Sequence, residues 1–548
     1  MIGAEAVIKS LEKEGVECIF GYPGATIAPF YNELAKSQIR HILVRHEQHA
    51  GHAASGYARI TGRPGVCSVT SGPGATNLIT ALGTAYMDSI PLVAITGQVD
   101  SALLGRDVFQ EADITGATAS FTKYSYLVKN PTDLPGIVKE AFHIASTGRQ
   151  GPVLIDIPVD VLRQKASFVF PDVVDIRSYK PTIKGHAGQI KRVLRALNSA
   201  AKPVICVGGG IFTGAAQDDL IRFAERLEIP VVTTLMGIGA LPTAHRLNMG
   251  MVGMHGKSIA NQALNETDLL LLLGARVSDR AVLLPMNVNS EARIIHIDID
   301  PAEIGKNITT FIPVVGDLKT VIAQIMELAP SPDTTDWVNT LTELKTKQTS
   351  GSPEPKNSKQ AIAQAGNYIN PKIFVNQLTK ALPNDYIYVA DVGQNQLWSA
   401  GNCDVRSESR FMTTGGMGTM GYAIGSAIGA KMAAPDRFTV AVCGDGGFQM
   451  SMMELATICQ HNVDVKIIVM INGYLGLVRE IQANQYANNL MAVDLSGSPD
   501  PLIIASAYGI PGRKLSSIEE APEAINDLIT SKGPFLLACT VSAEEPSL

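Results

Sequence analysis

Cysteine is scarce in this 548-residue chain, and its seven copies (Cys18, Cys67, Cys206, Cys403, Cys443, Cys459 and Cys539) never form a C-x-x-C pair. An odd, scattered set argues against a disulfide framework or a thiolate zinc site. It predicts buried free thiols in a reducing, cytoplasmic compartment. Long apolar runs are also missing. The greasiest, Leu269–Leu273, is strand-sized, far short of the ~18 residues that cross a bilayer. The N-terminus opens in a helical pattern, Ile2–Glu14, without the basic, apolar and small-residue succession of a leader. A net charge of −6 over this length is mild and speaks against non-specific nucleic-acid binding. No membrane and no nucleic acid are expected as partners.

What the chain has is bulk and alternation. Hydrophobic residues make up 46% and charged ones 18%, and 548 residues exceed what a single core accommodates. Strand-like and helix-like patterns alternate through three stretches, which predicts an α/β protein of three doubly wound domains with mainly parallel sheets. Their expected bounds are 1–165, 186–330 and 366–548. A less regular connector covers Gln164–Gly188. Residues Ala329–Asn370 lose their apolar periodicity and carry KTKQTSGSPEPKNSK, which predicts a linker. The first and last thirds have the look of variants of one fold.

The most informative stretch is Val440–Asn472. It predicts a strand ending in Gly444-Asp445-Gly446, a helix from Met450 to Gln460, and a second strand closing on Asn472. Both strands are apolar almost throughout, as in a parallel sheet covered on both faces. Parallel strands end on one edge, so Asp445 and Asn472 emerge side by side where such sheets bind ligands. A carboxylate, an amide oxygen and backbone carbonyls suit Mg²⁺, which takes six oxygens and commonly shares them with phosphates. Gly444, Gly446 and Gly447 let the backbone approach an anion. The plainer reading, Asp445 as a helix cap, does not account for Asn472.

Other motifs admit two readings each. Glu47 stands where an apolar strand meets an Ala/Gly-rich helix, so it is either a poorly solvated proton-exchanging carboxylate or one stabilised by the helix dipole. His46, His49 and His52 have helical spacing, but no thiol or second cluster supports zinc. Ser71-Gly72-Pro73-Gly74 lies between strand and helix and lacks the Lys-Ser/Thr of a nucleoside triphosphatase loop. Gly208-Gly209-Gly210 follows a strand, yet Thr213 stands where a dinucleotide fingerprint has its third glycine. It reads equally as a structural turn. Gly415–Gly421 opens a helix with Gly421, Gly425 and Gly429 every fourth residue, which serves either close helix packing or a loop moulded by methionine around a flat heterocycle.

Together, GDG with Asn472, RHEQHAGHAASGYAR, TSGPGATN and GGMGTMGYAIGSAIGA resemble the thiamine diphosphate-dependent enzymes. FQEAD, VGMHG, LGARVSDR, DVGQNQLW and NGYLGLVRE are similar to the large catalytic subunit of acetohydroxyacid (acetolactate) synthase, from about residue 1 to 540. The resemblance implies thiamine diphosphate-binding folds at both ends, for the pyrimidine and for the diphosphate, and a Rossmann-like middle domain. It implies decarboxylation of pyruvate and addition of the hydroxyethyl carbanion to a second 2-oxo acid, as in branched-chain amino acid biosynthesis. Glu47 would bond the aminopyrimidine. Asp445, Asn472 and the Tyr474 carbonyl would hold Mg²⁺, with Gln394, Pro23, Gly24, Gly418, Met420, Gly444, Gly446 and Gly447 around the cofactor. Phe109 and Gln110 would line the reaction space, and Arg280 would take the second substrate's carboxylate. FAD would sit on the middle domain at Gly208, Gly209, His255, Arg276 and Asp298. Such sites are shared between two subunits, which implies a homodimer or homotetramer, with a small regulatory subunit as a further partner.

The chain departs from the family pattern in places. Ile471-Asn472 replaces Asn-Asn, Gly24-Ala25 replaces Gly-Gly, Asn395 stands for a histidine, and RVSDR stands for RFDDR. Ile481 stands for the tryptophan of a Gln-Trp-Gln stretch, which removes aromatic contact area against 2-oxobutyrate. These leave another thiamine diphosphate-dependent 2-oxo acid decarboxylase or acyl-transferring lyase as an alternative. A non-catalytic nucleotide- or flavin-binding protein on the same fold is a third.

Overall fold

The structure, a computed structural model, describes residues 1–278, 288–351 and 368–547. It contains three sheets of six parallel strands each. The first comprises β1 (Cys18–Tyr22), β2 (Arg40–Leu43), β3 (Gly65–Val69), β4 (Leu92–Gln98), β5 (Tyr124–Leu127) and β6 (Pro152–Pro158), in the order β2-β1-β3-β4-β6-β5. The middle sheet has β7 (Pro203–Val207), β8 (Val231–Thr233), β9 (Asn248–Met251), β10 (Leu269–Leu273), β11 (Arg293–Asp298) and β12 (Ile312–Val315). Its order, β9-β8-β7-β10-β11-β12, is the doubly wound one, with the strand order reversing between β7 and β10. The last sheet holds β13 (Ile387–Ala390), β14 (Arg410–Met412), β15 (Thr439–Gly444), β16 (Val465–Ile471), β17 (Gly512–Leu515) and β18 (Phe535–Thr540).

The last sheet runs β14-β13-β15-β16-β18-β17, which repeats the first sheet's order strand for strand. The two ends of the chain are one fold twice, as their patterns suggested. Central strands such as β10 and β4 are buried along their whole length, which is why they read as unbroken apolar runs.

The two like domains join through equivalent helices, Glu47–Thr61 after β2 and Tyr422–Ala433 after β14. Glycines set the crossing. A Cβ on Gly56 would lie 1.9 Å from the Ser426 carbonyl oxygen, and one on Gly429 would lie 1.8 Å from that of Ala53. The packing reading of the Gly425 and Gly429 stripe therefore holds. One hydrophobic core runs through both domains, from Phe20 and Val69 to Ile424 and Val469.

Two expectations need correction. The Met450–Gln460 helix is broken into Asp445–Gln449, a 3₁₀ turn at Met452–Glu454, and Leu455–Gln460. Ser451 leaves helical geometry (φ −133°) and its hydroxyl donates back to the Gly447 carbonyl at 2.9 Å, so helix restarts only after it. The expected linker contains the helix Thr335–Gly351, because Trp337, Val338 and Leu341 form a buried stripe among polar residues. Among the described residues, no helix is long and apolar enough to cross a membrane.

Candidate active site

β15 and β16 pair in parallel with Gly444 opposite Met470, so the residues that follow them, Asp445 and Asn472, leave the same sheet edge. Asp445 is buried, which pushes its carboxyl pKa up, while backbone donors partly counter that. One oxygen accepts from the Gly446 N–H at 3.0 Å and the other from the Gly473 N–H at 2.7 Å. Asn472 Oδ1 accepts from the Tyr474 N–H at 3.0 Å. The sequence-predicted pair is thus brought together where β15 and β16 end, with the Tyr474 N–H on Asn472.

Around this turn lies the Gly415–Gly421 loop. Asp391, fully buried at the end of β13, accepts from the N–H groups of Gly421 (2.9 Å), Ala423 (3.1 Å) and Val392 (2.7 Å), and burial pushes its pKa up to about 6. Asp88 of the first domain accepts from the Gly416 N–H at 2.8 Å and is paired with Arg59 at 2.9 Å. The Met420 methyl lies 3.2 Å from where a Gly446 Cβ would stand, and Gly447 leaves 3.1 Å to the Asp391 carboxyl carbon. Gly418 has φ +68° and nothing within 4 Å of a would-be Cβ, so the cradle is open there.

These groups fit a Mg²⁺–diphosphate. They offer hard oxygens, a single carboxylate and an open glycine face, leaving coordination positions for phosphate and water. Among the described residues no group of three or more His, Cys, Asp or Glu side chains converges, which leaves amide, carbonyl and phosphate oxygens as the remaining donors.

The first domain supplies a second group of residues. Glu47 opens its helix half-buried, less enclosed than its sequence setting suggested, and accepts from Asn77 Nδ2 at 2.9 Å. Gly74 leaves only 3.3 Å between a would-be Cβ and the Glu47 carboxylate. Gln110, at φ +60°, lies over the Gly72 turn, whereas Phe109 is 87% exposed. Pro23 and Gly24 follow β1, and a Cβ on Gly24 would strike Thr70 at 2.5 Å. Among the described residues no hydrogen bond joins Glu47 to Asp445 or Asn472. Instead Glu454, buried and with its pKa pushed up to about 7, accepts from the N–H groups of Arg45 (2.9 Å) and His46 (3.1 Å). His46 caps its helix by accepting from Gln48 N–H, and His49 Nε2 bonds the Met450 carbonyl at 3.2 Å.

The middle domain gathers its candidates along one edge. Gly208 and Gly209 follow β7, His255 lies in the turn after β9, Arg276 follows β10 and Asp298 ends β11. Cβ atoms on Gly208 and Gly210 would meet the Gly274 backbone at 2.4 and 2.8 Å, so these two glycines serve the turn's packing at the switch point. Burial lowers the Arg276 pKa and raises that of Asp298 to about 6. Arg280 lies outside the described residues.

Sequence reading did not single out Asp391, Glu454, Asp88 or Glu480 as site residues. The first two are carboxylates inside apolar surroundings, and their burial is created by tertiary packing. Asn395 proves structural, donating to the carbonyls of Asp391 and Val442. Gln394 donates to Glu480 and the Glu545 carbonyl and accepts from Asn472.

Comparison with known proteins gives the same reading. Residues 1–117 match the N-terminal TPP binding domain of the thiamine pyrophosphate enzymes, 190–325 their central domain, and 391–539 their C-terminal TPP binding domain. The chain is 44% identical to the acetolactate synthase large subunit of Corynebacterium glutamicum over 535 residues, 96% of this chain and 84% of that one. It is 42% identical to the probable acetolactate synthase large subunit of Methanocaldococcus jannaschii over 557 aligned positions, 100% of this chain and 93% of that one. The acetolactate synthase of Arthrospira platensis is 41% identical, with 99% and 94% covered. The chain belongs to the thiamine pyrophosphate enzymes and, within them, to the acetolactate synthase large subunits.

Proposed function

We propose that this chain catalyses acetolactate formation: decarboxylation of pyruvate and joining of the two-carbon unit to a second 2-oxo acid, pyruvate or 2-oxobutyrate, in branched-chain amino acid biosynthesis. The observation that supports this is the hydrogen bond from the Gly473 N–H, next to Asn472, to Asp445, which brings the ends of β15 and β16 together. Residues 1–165 are taken as the pyrimidine-binding domain, 186–330 as the flavin-binding one and 366–548 as the diphosphate-binding one.

Thiamine diphosphate, when bound, supplies the carbanion-stabilising chemistry. Asp445, Asn472 and the Tyr474 carbonyl would hold Mg²⁺ on the diphosphate, with Gly444, Gly446 and Gly447 leaving the backbone bare. Met420, near Gly446, would give the ring system an apolar rest. Glu47 would hold and return a proton at the aminopyrimidine. Gln110 and Phe109 would line the reaction space, and Arg280 would bind the second substrate's carboxylate.

Glu47 of one chain is proposed to serve the metal turn of another, in a homodimer or homotetramer. The exposure of Phe109, Met417 and Met491 beside these segments supports a covering partner. The edge holding Gly208, Gly209, His255, Arg276 and Asp298 is proposed to bind FAD. A cytoplasmic location and a small regulatory partner complete the reading; the relatives are named large subunits.

The test is product identity. Purified protein given thiamine diphosphate, Mg²⁺ and pyruvate is expected to yield acetolactate, detected as acetoin after acid treatment. Acetaldehyde as sole product would instead favour a plain decarboxylase, the reading that Ile481 keeps open.

A further inference from the structure

The loop Gly415–Gly421 belongs to the last domain, but part of what holds it comes from the first. The helix Ile79–Asp88 lies against it. Asp88, the final residue of that helix, has a fully buried side chain. One carboxylate oxygen accepts from the N–H groups of Gly416 at 2.8 Å and Gly415 at 3.3 Å, and the other accepts from Arg59 at 2.9 Å. One turn earlier, the Thr84 hydroxyl donates to the Thr80 carbonyl at 2.8 Å and stands 2.7 Å from the Thr419 hydroxyl. Its single proton is committed, so Thr419 donates across the domain boundary. A Cβ on Gly416 would lie 2.7 Å from that of Met87, and one on Gly83 would lie 2.9 Å from the Met417 methyl. Loop and helix are in direct contact along this length.

Met420 is therefore fixed on its two sides by different domains. Thr419, before it, is bonded to the first-domain helix, and Gly421, after it, is held by Asp391 of its own domain. Asp88 fits its place only as a carboxylate. An asparagine that turned its oxygen to Gly416 would turn its NH₂ to the Arg59 guanidinium, donor against donor. Turned over, it would leave both glycine N–H groups without an acceptor. Arg59 also lies over the Tyr422 ring at 5.7 Å, which ties the pair to the helix that the loop opens.

We infer that Asp88 is a positioning residue for the cofactor: from the first domain of the same chain it braces the loop that seats Met420 against the ring system. Among the described residues none of its hydrogen bonds reaches Asp445 or Asn472, so the diphosphate end is independent of it. The inference rests on the cofactor site proposed above.

Full-length protein is titrated calorimetrically with thiamine diphosphate and, separately, with inorganic diphosphate, each with Mg²⁺. Asp88→Asn should weaken thiamine diphosphate binding about tenfold, the lower range for a hydrogen bond to a charged group, and leave inorganic diphosphate unchanged. Thr84→Val keeps the shape and removes the acceptor of Thr419. It should give the same selective loss, about fivefold, and replaces Asp88→Asn if that variant does not fold. In a Met420→Ala background neither substitution should weaken binding further, because the side chain that the loop seats is gone. Three results would overturn the inference: native-like thiamine diphosphate binding by the folded variant, equal weakening of both ligands, or equal weakening in both backgrounds. Absence of thiamine diphosphate binding by the native chain would overturn the cofactor site itself, and the inference with it.

Discussion

Glu454 shows how a single buried carboxylate serves two domains at once. It sits in the last domain yet holds the N–H groups of Arg45 and His46, the two residues before Glu47. Burial raises its pKa from 4.5 to about 7, so the folded chain keeps its proton longer than the unfolded one. Stability therefore falls as pH rises from about 4.5 towards 7, by an amount of the order of 3 kcal/mol. Glu454→Gln retains an oxygen for both N–H groups and an amide for Thr457. Its thermal midpoint is expected to vary less with pH than the native one over that range; parallel curves would refute the assignment. At Glu47 itself, replacement by Gln should slow hydrogen–deuterium exchange at the cofactor's reactive carbon by between about a hundredfold and ten-thousandfold. Native exchange would remove Glu47 from the proton path. Neither Glu454 nor Asp391 stood out as a site residue in the sequence, since nothing local marks a carboxylate that distant residues will bury. Asp445 and Asn472 did stand out, because each ends an unmistakable strand.

Among elements, the helix pair Glu47–Thr61 and Tyr422–Ala433 carries the join between the two like domains. Gly429→Ala would put a methyl into the Ala53 carbonyl, and neither backbone can yield without parting the helices. A loss of about 3 kcal/mol is expected, at the upper end for overpacking. An unchanged melting temperature would mean that the crossing is looser than described. Parallel strands were the most legible elements. β10 is the strand-sized apolar run Leu269–Leu273 itself, because burial on both faces leaves no polar residue in it. The helix Thr335–Gly351 was not legible, since Trp337, Val338 and Leu341 are scattered in a polar stretch. The break at Ser451 was not legible either, because it depends on one hydroxyl's hydrogen bond.

For the whole molecule, the repeated strand order of the first and last sheets implies an approximate internal symmetry, with a functional segment in each half. Glu47 is proposed as one and the Asp445–Asn472 turn as the other, and among the described residues no hydrogen bond joins them. On the shared-site reading proposed above, a second chain brings its own halves opposite, the arrangement that an isologous dimer provides. The measurement that tests this most directly mixes two dead variants, Glu47→Gln and Asp445→Ala, unfolding and refolding them together before assaying acetolactate. Each alone should be nearly inactive, while random pairing should restore about a quarter of native activity, because half of the dimers regain one intact site. A mixture no more active than its parts, from chains shown to have exchanged partners, would contradict a site built from both halves.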